Sequence, residues 1–147
     1  MTDLQAAIGS AQMDKLAVFC EARKSNFKTL SALFSRYDRW FILPVAMEHA
    51  DPAWFSFIVT IKESAPFKRE ELVSHFSNQL VETRNLFAGN IIKQPVFQHI
   101  HYKVSGSLEN TDYIMNNTFF LGTYPGLTPE MFKHIETVLK DFLSNYE

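Results

Sequence analysis

The sequence predicts an α+β fold in which a small β-sheet is covered by helices. Apolar residues recur every three to four positions in residues 4–34, 67–81 and 131–142, which is typical of amphipathic helices. The aromatic and β-branched segments that indicate strands are few and widely separated. A small sheet with several helices packed against it is the architecture that fits both patterns.

The first segment is predicted to be a long amphipathic helix that starts at the beginning of the sequence. Thr2 and Gln5 have the spacing of a capping box. An apolar stripe runs along the first turns and needs a surface to pack against, inside or outside this chain. We therefore predict two units, a long helix over residues 1–36 and an α+β domain over residues 37–147. The stripe consists of Met1, Leu4, Ala7, Ile8 and Ala11.

The middle of the chain predicts a strand, a helix and a second, short strand. Residues 54–61 are aromatic and β-branched and contain no Gly or Pro, which indicates a strand. After Pro66, the spacing of Leu72, Phe76 and Leu80 predicts a helix over 67–81. A short strand is expected at 83–87. Residues 88–106 then lose all periodicity, and long irregular connections of this kind are often functional.

The last third predicts a short helix, a strand, a turn and a long helix. The short helix is expected over 108–115, the strand over 118–121 and the turn over 124–127. Thr128 followed by Pro129 is typical of a helix N-cap and first helical position. The final helix should bury one face, formed by Met131, Ile135, Val138 and Phe142.

Composition excludes several classes of function. The 147 residues suit one domain, and a formal net charge of -2 provides no basic surface for nucleic acid. A single cysteine, Cys20, excludes an intramolecular disulfide and a cysteine-based zinc or iron–sulfur site. The sequence has no apolar run of about 18 residues and no signal-peptide pattern, so a cytoplasmic location without membrane contact is expected.

Motif searching assigns no catalytic, cofactor-binding or metal-binding residue. A Gly-x-Ser-x-Gly elbow, a phosphate-binding loop and a dinucleotide fingerprint are all missing from the sequence. His99 and His101 are spaced so that they could share a metal, but a third ligand is missing and a polar loop is the favoured interpretation. Residues 82–90 place Arg84 and Asn90 where a strand gives way to a loop, which suits an anion or a sugar hydroxyl. An ordinary exposed loop explains that segment as well.

Longer motifs resemble a known family. Residues 2–9 and 20–27 resemble the interior helix of the DegT family of pyridoxal-phosphate-dependent nucleotide-sugar aminotransferases and dehydratases. Residues 83–90, 110–119 and 122–128 are similar to the RfbH-type branch, the CDP-6-deoxy-4-keto-hexose 3-dehydratases of lipopolysaccharide O-antigen synthesis. The resemblance covers essentially the whole chain.

The resemblance implies a fragment. The chain corresponds to the linking helix and the small C-terminal domain of a fold-type-I enzyme, which would be inactive alone. By resemblance, the groups that bind pyridoxal or pyridoxamine phosphate (PLP or PMP) and the catalytic His belong to the part that precedes it, as would the cysteines of an iron–sulfur cluster. The implied partners are a nucleotide-sugar, a reductase for the parent enzyme, and the large domain or a second copy contacting the N-terminal helix.

The resemblance also implies three substrate-binding residues. Related sugar aminotransferases have Trp-His-Leu-Phe or a similar sequence where this chain has residues 54–57, so Phe55 aligns with their His. A neutral aromatic residue there removes a titratable donor, in keeping with dehydration rather than transamination. Arg84 and Asn90 lie in the motif that approaches the nucleotide-sugar in the family. Two alternatives remain open, a free-standing binding or interaction module of the same fold without activity, and a complete small enzyme with an unrecognised site.

Overall fold

A computed structural model describes residues 2–147 of the chain. It contains five α-helices and four short strands, joined in places by single 3-10 turns. The helices are α1 (Asp3–Met13), α2 (Leu16–Phe34), α3 (Arg69–Asn78), α4 (Glu109–Asn117) and α5 (Pro129–Leu143). The strands are β1 (Phe41–Ile42), β2 (Ser56–Ile61), β3 (Arg84–Asn85) and β4 (Thr118–Gly122).

The N-terminal segment forms two helices where the sequence predicted one. The predicted capping box is confirmed, since the Thr2 N–H donates to Gln5 Oε1 at 2.9 Å and the Gln5 N–H to Thr2 Oγ1 at 3.4 Å. The helix breaks after Met13, where the Lys15 N–H donates to Gln12 O, three residues back. The sequence shows a shift of the apolar pattern at this point. Its successive members Ala11 and Leu16 are five residues apart, and residues five apart do not lie on one face of a helix. Met1, the first residue of the predicted stripe, lies outside the described residues.

The four strands form one antiparallel sheet in the order β1-β2-β4-β3. The central pair, β2 and β4, is in register from Ser56 opposite Gly122 to Thr60 opposite Thr118. The outer strand β3 pairs only with Phe120 and Phe119 of β4. Because β3 is so short, Leu121 and Gly122 extend past it and form an open edge of the sheet.

One face of the sheet carries the core. Phe57 and Phe119 are fully buried on this face, under the helices α2, α3 and α5. Phe27 and Phe34 of α2 both lie 5.3 Å from Phe57, measured between ring centroids. The high phenylalanine content is therefore largely a packing feature, because these rings fill the layer between sheet and helices.

The opposite face of the sheet is only partly covered. Helix α4 packs over one end of it, where the Tyr113 hydroxyl donates to Ile61 O at 2.7 Å. The side chains of Thr60 and Thr118 also meet on this face, with their hydroxyl oxygens 2.7 Å apart. Toward the other end, the ring of Phe120 is half-buried and contacts the rings of Phe55 and Phe87.

Most of the remaining predicted elements are confirmed. Helix α5 begins as predicted, with the Thr128 hydroxyl accepting from the Met131 N–H and Pro129 at the first helical position. Helix α3 is shorter than the predicted 67–81 and ends at Asn78. Leu80, expected on its buried face, instead lies beyond the helix and is 93% exposed. The strand β1 was not predicted.

Candidate functional site

A wide groove of about 870 Å³ opens at the free edge of β4. Its walls come from the ends of β2 and β4, the segment from α3 through β3, and the first half of α5. Most of the lining side chains are apolar, as is usual for small-molecule sites. The lining consists of Phe55, Leu80, Val81, Glu82, Arg84, Asn85, Phe87, Phe120, Leu121, Gly122, Tyr124, Leu127, Glu130, Met131, His134 and Ile135.

Three aromatic rings meet on the sheet side of the groove. Phe55 lies just before β2 and contacts Phe120 edge to face, with centroids 6.1 Å apart. Phe87, after β3, contacts the same ring from the other side at 6.2 Å. Phe55 is 67% exposed and Phe87 is 78% exposed. These rings form an accessible apolar surface on which a planar or apolar group can stack.

Charged groups lie beside these rings. The Nε and Nη2 atoms of Arg84 both donate to Glu82 Oε1, at 2.8 and 2.6 Å, and both side chains are exposed. At the α5 wall, hydrogen bonds from its own backbone N–H and from the Thr128 hydroxyl hold the pKa of the Glu130 carboxyl below its usual value. His134 Nε2–H donates to Gln79 O at 2.8 Å and so ties α5 to the end of α3.

Two of the apolar wall residues have left-handed backbone conformations. Leu80 has φ = 60° and Phe87 has φ = 49°. Leu80 occupies the αL position of a Schellman motif, in which the Val81 N–H donates to Phe76 O at 2.8 Å and the Leu80 N–H to Ser77 O at 3.1 Å. Glycine is the usual residue there, so a leucine with its side chain in solvent is a local cost to stability.

We expect Leu80→Gly to raise the free energy of unfolding by about 0.5–1 kcal/mol, because glycine adopts positive φ without strain and the exposed leucine loses few contacts. Urea unfolding followed by circular dichroism measures the change. Leu80→Ala is the matched control, since it removes the same side chain but keeps the strained Cβ. An equal gain in both variants would show that the leucine side chain, rather than the backbone conformation, carries the cost.

The three predicted substrate-binding residues do not all lie together. Phe55 and Arg84 both line the groove, although 29 residues of sequence separate them. Asn90 is outside the lining and only 2% exposed. Its amide donates to Asp112 Oδ1 at 2.7 Å, and its Oδ1 accepts from the Ile92 N–H at 3.3 Å. Its contact with a substrate stays a prediction.

Asp112 links Asn90 to Lys93 as well. Lys93 Nζ lies 2.7 Å from Asp112 Oδ2, and hydrogen bonds from Lys93 and then Asn90 hold the pKa of this carboxyl below its usual value. These contacts fasten the start of the irregular segment 88–106 to α4. The side chains of Asn90 and Lys93 therefore serve local structure.

No metal site or membrane span is found in residues 2–147. Groups of three or more His, Cys, Asp or Glu side chains close enough to hold one metal ion do not occur in this range, so His99 and His101 gain no third ligand. None of its helices is both long and apolar enough to cross a bilayer.

Sequence reasoning missed most of the groove. The sequence places Phe120 in a strand, Tyr124 in a turn and both Met131 and His134 in a helix, and it gives none of them a site role. The signal in the sequence was weak, because an exposed aromatic residue and a buried one look alike within an apolar run. Only the pairing of β2, β4 and β3 brings these distant segments to one edge.

Comparison with known proteins adds to this geometry. Residues 1–140 match the sequence model of the DegT/DnrJ/EryC1/StrS aminotransferase family. The chain belongs to this family. Over 142 residues it is 44% identical to the lipopolysaccharide biosynthesis protein RfbH of Salmonella typhimurium, a match that covers 97% of this chain and 32% of that protein.

Other proteins also match nearly the whole of this chain but only about a third of their own length. The dTDP-4-dehydro-2,6-dideoxy-D-glucose 3-dehydratase of Saccharopolyspora spinosa is 37% identical over 97% of this chain and 31% of that protein. The GDP-4-keto-6-deoxy-D-mannose 3-dehydratase of Yersinia pseudotuberculosis is 30% identical over 94% of this chain and 35% of that protein. The chain therefore spans about a third of the length of the curated relatives it matches.

Solved structures confirm the predicted fold class. An E. coli GDP-4-keto-6-deoxy-D-mannose-3-dehydratase with bound hydrated PLP superposes with a TM-score of 0.79 at 26% identity, over 91% of this chain and 34% of that one. An aminotransferase from Psychrobacter cryohalolentis superposes with a TM-score of 0.88 over 99% of this chain and 39% of that one. At 15% identity the second match shows the fold alone.

The groove residues do not fit a PLP or PMP site. Such a site needs donors for the cofactor phosphate and a charged partner for the ring nitrogen, and a PLP Schiff base needs a lysine. Lys, Ser and Thr are absent from the described lining, so it offers neither a Schiff-base lysine nor a Ser or Thr hydroxyl donor for a phosphate. No chemical step through the cofactor is therefore assigned to these residues. The groove suits the binding of an apolar or planar group beside an anion.

Proposed function

We propose that this chain is the C-terminal part of a PLP- or PMP-dependent nucleotide-sugar 3-dehydratase of deoxysugar and O-antigen biosynthesis, and that it forms the substrate side of the active site. The observation that carries the proposal is the groove at the free edge of β4, where Phe55 and Arg84 meet. Similarity to two 3-dehydratases supports the reaction class, and similarity to the lipopolysaccharide biosynthesis protein RfbH supports the biosynthetic context. In the proposal, the cofactor and the catalytic groups come from a large domain outside this chain.

Phe55, Arg84 and Asn90 each have a defined role in the proposal. The exposed ring of Phe55 packs against the sugar or base and excludes water from that side. Arg84 binds the diphosphate through charge-assisted hydrogen bonds. Its present pair with Glu82 is exposed on both sides, and exposed pairs are worth only about 0–1 kcal/mol, so the diphosphate, which carries two negative charges in total, can replace the carboxylate. Asn90 holds the segment that follows Phe87 and keeps the wall in place.

Helix α1 provides the assembly surface in this proposal. It contains no buried residue, and Leu4 is 80% exposed and Ile8 65% exposed. We propose that the large domain or a second copy of the chain covers this helix. A sedimentation profile that shifts with concentration for the wild type, and less for Leu4→Glu/Ile8→Glu, supports a second copy. A profile that stays monomeric excludes self-association. A reductase partner and a cytoplasmic location stay predictions.

The test is an amide NMR titration of the chain with CDP-glucose, and separately with PMP. We expect localised shifts near Phe55 and Arg84 with the sugar nucleotide. Arg84→Ala should weaken binding about tenfold or more, because a hydrogen bond to a charged group is worth about 1.5–3 kcal/mol. Phe55→Ala should weaken it about threefold to tenfold, the range expected for one aromatic stacking contact.

The control is Arg39→Ala. Arg39 is an exposed arginine that lies over the Trp40 ring at 3.9 Å and does not line the groove. Its loss should leave the CDP-glucose affinity unchanged. If Arg39→Ala and Arg84→Ala weaken binding equally, the phosphate is held by general charge and the proposed site is wrong. The absence of any shift with CDP-glucose contradicts a binding groove in this chain.

A further inference from the structure

We infer that Arg23 and Asn26 of α2 are positioning residues for the groove, because they hold the backbone that carries Phe55 and Tyr124. This inference rests on the proposed function for its binding readout, but its structural content stands on contacts within the chain. Phe55 and Tyr124 both line the groove and lie on adjacent ends of β2 and β4.

The need for such anchors follows from where the sheet ends. The last pair of the β2–β4 ladder is Ser56 opposite Gly122. Residues 54–55 and 123–124 continue past that pair, beyond the residues that are in register. Backbone carbonyls in partly buried positions require other donors, and without them the strand ends fray.

Helix α2 supplies those donors. Arg23 Nη1 donates to Phe55 O at 3.1 Å and to Trp54 O at 3.3 Å. Asn26, which is 8% exposed, donates through Nδ2 to Tyr124 O at 2.8 Å and to Thr123 O at 3.4 Å. Two side chains, three residues apart on one face of the helix, therefore donate hydrogen bonds to four carbonyl oxygens on two chain segments.

Two further contacts lock the same corner. The Thr123 hydroxyl donates to Trp54 O at 2.6 Å and joins the two segments to each other. The Trp54 ring stacks on Phe27, with centroids 4.2 Å apart and planes 7° apart. Helix α2 therefore fixes the positions of both segments through side chains that do not line the groove.

Phe55 depends on this backbone anchor because its own side chain has little else to fix it. Its ring is mostly exposed, and its aromatic contact in the described residues is the edge of Phe120. The position of such an exposed side chain is determined mainly by the position of its backbone. If the backbone at Phe55 moves by an ångström, the ring leaves the surface on which a ligand packs.

The test compares Arg23→Met with Lys24→Met. Lys24 is the next residue of α2 and also makes a long-range charged contact, to Asp51 at 2.6 Å, but it does not touch residues 54–55. We expect Arg23→Met to remove the NMR contact between the Phe55 and Phe120 rings and to weaken CDP-glucose binding about tenfold, as expected when a hydrogen bond to a charged group is lost. Lys24→Met should change neither reading.

Rescue by a conservative variant separates positioning from general destabilisation. Arg23→Lys keeps a cation that can reach one of the two carbonyls, so it should restore the ring contact and most of the affinity. Asn26→Ser should shift the Tyr124 signals and leave those of Phe55 in place. Because these two variants are mild, they give a result even if Arg23→Met fails to fold.

The outcomes are distinct. If Arg23→Met retains both the ring contact and the affinity, or if Arg23→Lys is no better than Arg23→Met, the inference is wrong. If the wild type does not bind CDP-glucose at all, the proposed function fails. The Phe55–Phe120 ring contact then still decides whether Arg23 positions Phe55.

Discussion

Phe57→Ala is expected to lower the free energy of unfolding of the chain by about 3–5 kcal/mol, the cost of removing a large aromatic ring from a packed core. Phe57 is fully buried in the central strand β2 and contacts the rings of Phe27 and Phe34 on α2. Its loss leaves a cavity between the sheet and α2 that rigid neighbours fill only in part. Since the free energy of unfolding of natural domains is only about 5–15 kcal/mol, this change removes a large fraction of the stability.

Guanidinium unfolding followed by circular dichroism measures this loss. Phe55→Ala is the matched control, because it removes the same ring two residues earlier from an exposed position. We expect it to cost less than about 1 kcal/mol, as most surface substitutions do. Similar losses in the two variants would mean that Phe55 is buried in solution, and that the sheet face carrying the groove is covered.

Gly89→Ala is expected to destabilise the chain by about 2–4 kcal/mol, from left-handed strain and overpacking together. Gly89 has φ = 64°, which an alanine adopts only at a cost. A Cβ at this position would collide with Met115 Cγ and lie 2.9 Å from Met115 Cβ. Helix α4, which carries Met115, would have to move away from residues 88–90. Thermal and urea unfolding both measure the loss.

Gly106→Ala measures the cost of left-handed backbone strain without overpacking. Gly106 has φ = 74° but open space where a Cβ would be placed, so its substitution should cost only about 1–2 kcal/mol. Met115→Ala combined with Gly89→Ala should recover part of the loss, because it removes Met115 Cγ and Sδ, two of the three nearest atoms. Equal costs at Gly89 and Gly106 would contradict a close approach between residue 89 and α4.

Elements with a strong local signal could be predicted from the sequence, and those decided by tertiary contacts could not. Thr128 and Pro129 predict the start of α5 from local chemistry alone, and the structure confirms it. The two residues of β1, Phe41 and Ile42, are a strand only because they pair with Ile61 and Thr60. Leu80 fits the apolar spacing of α3, yet the helix has ended before it reaches that residue.

The candidate site follows the same division. Arg84 was singled out because a charged residue stood where a strand gave way to a loop, and Phe55 because of a family resemblance. Their meeting in one groove depends on the strand order β1-β2-β4-β3, which no local pattern in the sequence specifies. The sequence alone does not reveal the anchors Arg23 and Asn26, because their partners are carbonyl groups about 30 and 100 residues away in the chain.

Helix α1, which has no buried residue, affects the thermodynamics of assembly. An isolated helix of about this length is marginal in water, and its 11 residues have only their own hydrogen bonds and the capping box to support them. We therefore expect part of the population to be melted at any moment. A surface that covers Leu4 and Ile8 must also order the melted fraction, which lowers its apparent affinity. Substitutions that raise helix propensity on the uncovered side of α1 would strengthen assembly without touching the interface.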